Sequence, residues 1–184
     1  NPAPNLEQRG VRFIRASLDD APAVEAACGE AEGSLVGARV FGLVAPTQPD
    51  WYVLPALIAR VRRGDVQGIP GLASVRDYLD ARDVCDVLLM LSTVPPDALV
   101  DLGRPSIVNV CSGEPTSIGD LLTLVARAAR PIDAETLLES ASAGPSRADD
   151  IPWIVGDPAR LESIIGRPAR TIPLSRTVEE AVVG

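Results

Sequence analysis

The chain has 184 residues, 46% of them apolar, and a formal net charge of −8 at pH 7. That length suffices for one domain of ordinary size, or one domain and a small lobe; the acidic balance disfavours non-specific nucleic-acid binding, and no apolar run approaches the roughly 20 residues of a membrane-spanning helix. All 17 basic residues are arginine and histidine is absent, which excludes a lysine Schiff base, a lysine general acid and any Ser-His or Cys-His nucleophile pair.

The cysteines Cys28, Cys85 and Cys111 are widely spaced in apolar runs with no Cys-x-x-Cys pattern. They read as reduced, buried core residues of a cytoplasmic protein, and they offer no metal site.

In chain order, a polar lead from Asn1 to Gln8 gives way to an apolar, strand-like run, Val11 to Ala16, between Gly10 and Asp19-Asp20. Pro22 then falls in the first turn of a helix carrying Ala23, Val24, Ala26 and Ala27. Gly29 to Gly33 breaks the pattern, and Leu35 to Phe41 is strand-like again, so the opening reads as a β-α-β unit of a parallel sheet. After the loop Ala45 to Asp50, the apolar positions Val53, Leu54, Leu57, Ile58 and Val61 predict an amphipathic helix stopped by Gly64. Trp51 and Tyr52 at its start either stack on a base or sugar or plug the lobe.

Val75 to Asp80 predicts a strand feeding the helix Val84 to Leu91. Thr93 to Arg104 is a connector, Ser106 to Cys111 a buried strand, and Leu121 to Ala129 a helix capped by a preceding hydroxyl residue with Asp120 in its first turn. Glu135 to Ser146 is polar and loosely patterned; Trp153 to Val155 is a short strand, Asp157-Pro158 starts a helix that Gly166 ends, and Val178 to Val182 forms a last helix.

The strand-to-helix junction around Arg76 is the strongest candidate site. An arginine there presents five donors in a fixed fork that fits phosphate oxygens; the alternative is a structural ion pair between Arg76 and Asp77.

The motifs Arg39 to Pro46, Val75-Arg76-Asp77-Tyr78 with Asp83-Val84, Asn109 to Gly113 with Ser117-Ile118, Arg147 with Asp150-Ile151-Pro152, Gly156-Asp157 with Leu161, and Ile172-Pro173-Leu174 resemble, in that order, the C-terminal part of extended short-chain dehydrogenases/reductases (the NAD-dependent epimerase/dehydratase kind) acting on nucleotide sugars. The Asn-Val-Cys-Ser-Gly run and the Asp-Ile-Pro with Val-Gly-Asp are most similar to GDP-6-deoxy-D-mannose reductases, which reduce GDP-4-keto-6-deoxy-mannose to GDP-rhamnose. The resemblance covers about Val36 to Glu180, with a shorter match from Gly10 to Ala27.

The resemblance implies an α/β fold, an incomplete doubly wound, Rossmann-like parallel sheet with a smaller C-terminal α/β substrate-binding lobe. Residues 1–46 would be a partial Rossmann-like segment, and 47–184 the lobe, interleaved with returning Rossmann elements at about 81–113. It implies NAD(P) as cofactor and a nucleotide sugar as substrate, bound by Arg76, Arg147, Trp51, Tyr52 and Leu54, and a homodimer as assembly.

The family's glycine-rich dinucleotide turn and its Tyr-x-x-x-Lys pair are missing: the only tyrosines are Tyr52 and Tyr78, and no lysine follows either. No catalytic or cofactor-binding residue can therefore be named. Gly42, Leu43 and Ala45 also replace the family's usual asparagine, histidine and glycine in the first motif. In the family's sheet the strands matching Val11 to Ala16 and Val36 to Phe41 are not neighbours, so a break in the chain is expected at about 29–37. Three readings follow: a nucleotide-sugar reductase whose catalytic part lies outside this sequence, a UDP-sugar 4-epimerase or dehydratase of the same kind, or a non-catalytic protein that binds a sugar nucleotide or a partner.

Overall fold

The computed structural model describes residues 36–95, 106–145 and 150–184, together with Pro22 and Glu25. The strand Val11 to Ala16, Cys28, Arg147 and all but the last two residues of the expected break at 29–37 lie outside the described residues. Strand β1 (Val36–Val40) pairs in parallel with β5 (Ser106–Val110), Val36 opposite Ser106 and Val40 opposite Val110. Helices α2 (Ala81–Ser92) and α5 (Ala159–Ile165) pack beside this pair. Val84, Val87 and Leu91 form the inward stripe of α2 and meet Val108, Val110 and Leu161 in one apolar cluster, the 3.6-residue period of a helix packing on the 2-residue period of a strand.

A second sheet is built on β4 (Val75–Asp80). On one edge β4 takes β2 (Gly42–Val44) and the short β8 (Trp153–Ile154), both parallel; on the other it takes β6 (Pro115–Ser117), antiparallel. Helices α1 (Val53–Arg63), α3 (Ile118–Ala129), α4 (Ala134–Glu139) and α6 (Leu174–Val183) enclose the larger cluster, which includes Leu54, Val61, Leu121, Val125 and Val178. A two-residue ladder joins β3 (Ile69–Pro70) to β7 (Ala143–Gly144). Adjacent residues of β4 serve different cores, since strand side chains alternate in direction: Tyr78 belongs to the larger cluster and Leu79 to the smaller.

The elements end where local chemistry stops them. Gly64, at φ 70°, closes α1 with its N–H directed to the Arg60 and Val61 carbonyls, a left-handed cap that a Cβ would strain. Ser117 and Asp120 form a reciprocal capping box at the start of α3. The segment expected to be loosely patterned contains α4 and β7 instead: α4 is only six residues long, too short for its two buried positions, Ala134 and Leu137, to register as a period. The last helix starts at Leu174, four residues earlier than expected.

Three aspartates of β4 and α2 are buried, namely Asp77, Asp80 and Asp83. Asp77 accepts from Ser112 N at 2.8 Å, Ser112 Oγ at 2.7 Å, Gly113 N at 2.8 Å and Gly156 N at 3.3 Å. Asp80 caps α2 and accepts from the Arg82 backbone N, Nε and Nη2, each at 2.8 Å, and from Thr177 Oγ1 at 2.7 Å. Asp83 accepts from Thr171 N at 3.0 Å, Ile172 N at 2.9 Å and the Thr171 hydroxyl. Each carboxylate thus fastens the β4–α2 unit to a different returning segment.

The expectation that the cysteines are buried holds for Cys111 and fails for Cys85, which is exposed. The run Val84 to Leu91 is apolar but for Asp86, and a helix packed on one side turns Cys85, Leu88 and Leu89 outward with it. Burial, reinforced by the neighbouring Asp77 charge, pushes the Cys111 thiol up to about 12.

Replacing Asp77 with Ala leaves the Ser112, Gly113 and Gly156 backbone donors without their acceptor, and we expect a loss of about 3 kcal/mol or more in urea unfolding; a loss below about 1 kcal/mol contradicts this assignment. Burial pushes the Asp80 carboxyl up, but hydrogen bonds from Arg82 and Thr177 and the Arg82 charge outweigh it and hold the group below its ordinary value. A depressed folded pKa gives stability that is complete above the unfolded carboxyl's pKa of about 3.9 and is lost as pH falls through the lower folded value. The difference in Tm between the wild type and Asp80→Asn should therefore narrow as pH is lowered through that window; a constant or widening gap contradicts it.

Candidate functional site

Arg76 and Asp77 are strand neighbours, so their side chains leave β4 on opposite faces. The expected alternative of an Arg76–Asp77 ion pair is corrected: Asp77 is taken up by the β5–β6 turn and Gly156, and Arg76 pairs with Asp150. Arg76 Nη2 donates to Asp150 Oδ1 at 2.8 Å and Nη1 to the Val75 carbonyl at 2.8 Å, while Ser74 Oγ donates to Asp150 Oδ2 at 2.7 Å. The side chains of Arg76 and Asp150 are each 23% exposed, open to a ligand yet shielded enough for their charges to count. Gly71, at φ 63°, lets the chain pass this pair; a Cβ there would lie 3.1 Å from both Asp150 Oδ2 and Ser74 Oγ.

Arg76 and Asp150 open into a cleft of about 460 Å³, bordered also by Trp51, Arg60, Ile69 and Ser74. One wall is a stripe of α1, in which Val53, Ala56, Leu57 and Arg60 follow at i, i+3, i+4 and i+7. The cleft therefore has an apolar side and a polar side, with two arginines against one aspartate, a composition suited to a ligand with a flat apolar part and an anionic part.

The structure brings Arg76 and Trp51 of the expected site into this one cleft. Trp51 is 81% exposed, and the Tyr52 ring lies 6.2 Å from it, outside the lining. Leu54 is corrected: it is fully buried in the larger core cluster and touches a different, smaller hollow between Gln48 and Arg62. One residue along a helix rotates by about 100°, which carries Leu54 away from the Val53 stripe. Arg147 lies outside the described residues. Sequence reading missed Arg60, although its place seven residues after Val53 on the α1 stripe was a usable signal.

A larger hollow of about 650 Å³ lies by Glu114, Asp120 and Arg170. It does not suit an anion, because Arg170 is committed to Glu114, the Tyr78 carbonyl and Ser112 Oγ and acidic side chains flank it. The turn after β5 does not cradle a dinucleotide either. At the carboxyl end of β5, where an open parallel sheet would bind one, the Ser112 and Gly113 N–H groups already donate to Asp77.

No family model matches the chain. Among curated proteins it is similar to a GDP-6-deoxy-D-talose 4-dehydrogenase from Aggregatibacter actinomycetemcomitans, 24% identical over 143 residues, which cover 77% of this chain and 45% of that protein. Among solved structures it is similar to RMD from Pseudomonas aeruginosa, complexed with NADPH, at a TM-score of 0.61 and 24% identity, covering 80% of this chain and 47% of that one. It is also similar to the UDP-glucose 4-epimerase of Thermotoga maritima, solved with UDP-glucose, at a TM-score of 0.67 and 18% identity, covering 87% and 48%. The chain spans about half the length of these relatives. By sequence and by fold it is similar to part of the extended short-chain dehydrogenases/reductases of the NAD-dependent epimerase/dehydratase kind, with the mixed α/β, parallel-strand architecture that this resemblance implies.

Proposed function

We propose that this chain is the nucleotide-sugar-binding part of a cytoplasmic, NAD(P)-dependent nucleotide-sugar oxidoreductase, acting on a GDP-4-keto-6-deoxy sugar. The observation that carries the reading is the cleft itself, in which the family-matched Arg76 meets Trp51 and a second arginine beside an apolar wall. In this reading Arg76 holds the diphosphate, Arg147 adds a contact near the ribose or phosphate, and helix α1, which Trp51 and Tyr52 open, borders the base. The likeness to a GDP-sugar dehydrogenase in sequence favours the GDP class. A UDP-sugar 4-epimerase or dehydratase is the second reading, favoured by the fold likeness to a UDP-glucose 4-epimerase.

When bound, a nicotinamide cofactor supplies or accepts hydride, and the turn after β5, whose N–H groups are taken by Asp77, does not cradle it. The described residues also provide no evident proton donor for a keto sugar. Tyr78 is buried in the larger core, and burial, opposed by the Arg76 charge, pushes its phenol up to about 12; a general acid works best with a pKa near the operating pH. What the chain's own side chains do in this reading is bind and orient the substrate.

Titration calorimetry with GDP-mannose tests the binding role. Arg76→Ala should weaken binding by about 2 to 5 kcal/mol while far-UV circular dichroism stays unchanged; equal affinity of variant and wild type removes Arg76 from the site. The 184-residue polypeptide by itself should show no oxidation of NADPH or NADH with a 4-keto sugar nucleotide in an absorbance assay, and turnover above background contradicts the proposed division of roles.

A further inference from the structure

Arg60 stands at the end of the cleft remote from Arg76. Gly64, closing α1 four residues after Arg60, lies beside the tip of the Arg130 side chain at the end of α3, whereas Ile118, opening α3, donates its N–H to the Ser74 carbonyl at 3.0 Å, two residues from Arg76. The wall from Val53 to Arg60 is about 10 Å long at 1.5 Å per residue, so a nucleotide whose diphosphate meets Arg76 would carry its base towards Arg60.

The Arg60 guanidinium is held there by backbone. Nε donates to the Asp65 carbonyl at 2.9 Å and Nη2 to the Gln67 carbonyl, with a longer contact of 3.4 Å to the exposed Asp65 carboxylate. Among the described residues Nη1 has no hydrogen-bond partner, and the side chain is 26% exposed. A guanidinium only donates. Its remaining donors, in a fixed position beside the apolar residues Leu57 and Ile69, discriminate between a carbonyl oxygen and an amino group presented by a base.

We propose that Arg60 selects the base of the bound nucleotide, favouring guanine and uracil, which present a carbonyl oxygen on the base-pairing edge, over adenine and cytosine, which present an amino group at the corresponding place. The inference rests on the nucleotide reading of the cleft. Opposite an amino group, donor would face donor and both would lose their hydrogen bonds to water without replacement.

The test is competition among GDP, UDP, ADP and CDP, read from tryptophan fluorescence in a Trp153→Phe background, which leaves Trp51 as the reporter, and calibrated by calorimetry. The wild type should bind GDP and UDP about tenfold or more tightly than ADP and CDP, the discrimination an arginine gives between right and wrong bases. Arg60→Ala should bring the four affinities together, and Arg60→Met, which keeps the apolar stem, should do the same if truncation disturbs the fold. Arg76→Ala should weaken all four and keep their ratio. A wild type without base preference, or a preference that survives both Arg60 variants, overturns the role of Arg60 while leaving the nucleotide site standing. A wild type that binds none of the four overturns the nucleotide reading itself, and this inference with it.

Discussion

The structure depends on buried carboxylates satisfied by backbone and side-chain donors. An ionised aspartate removed from water costs several kcal/mol unless donors replace its hydration, and Asp77, Asp80 and Asp83 are each surrounded by donors from segments far along the chain. The cost of leaving any of them unpaired makes the arrangement selective: the β5–β6 turn, Gly156, the Thr171-Ile172 backbone and α6 are all referred to one short unit, β4 with the start of α2. Hydrophobic burial alone is non-directional and would not fix these returning segments to within a hydrogen bond.

The same constraint shapes the site. With Asp77 turned towards the β5–β6 loop, strand alternation sends Arg76 to the other face, where Asp150 and Ser74 complete a hydrogen-bonded group. Asp150 leaves that pair near neutral, and Arg60, in a longer contact with the exposed Asp65, adds a second guanidinium to the lining of the same cleft. The loop at the carboxyl end of β5, which in a doubly wound sheet is a natural anion cradle, is filled by the protein's own carboxylate. The cleft that carries the proposed site thereby lies along α1 and away from the β5 turn.

Much of the fold was legible because its signals are local. Val53 to Val61 repeats at helical spacing and is followed by the stop at Gly64, Ser117 and Asp120 spell a cap, and Val75 to Asp80 reads as an extended run feeding a helix, and each is found where expected. Helix α4 escaped because six residues cannot display a period, and Cys85 was misplaced because a run apolar at nearly every position does not say which side of a helix is covered.

By itself the sequence determined most of the longer elements, the absence of lysine and histidine chemistry, the order of motifs that marks Arg76 as a candidate, and the place of Trp51 at the start of a helix. Only the tertiary structure decided the partners. Asp150 is 74 positions from Arg76 and Ser112 is 35 from Asp77, so neither pairing follows from spacing; each is set by which face of β4 a side chain leaves and which segment returns against it. Leu54 and Arg60 were sorted in the same way, one into the core and one into the cleft, because rotation about a helix axis gains meaning only when the elements packed around it are known.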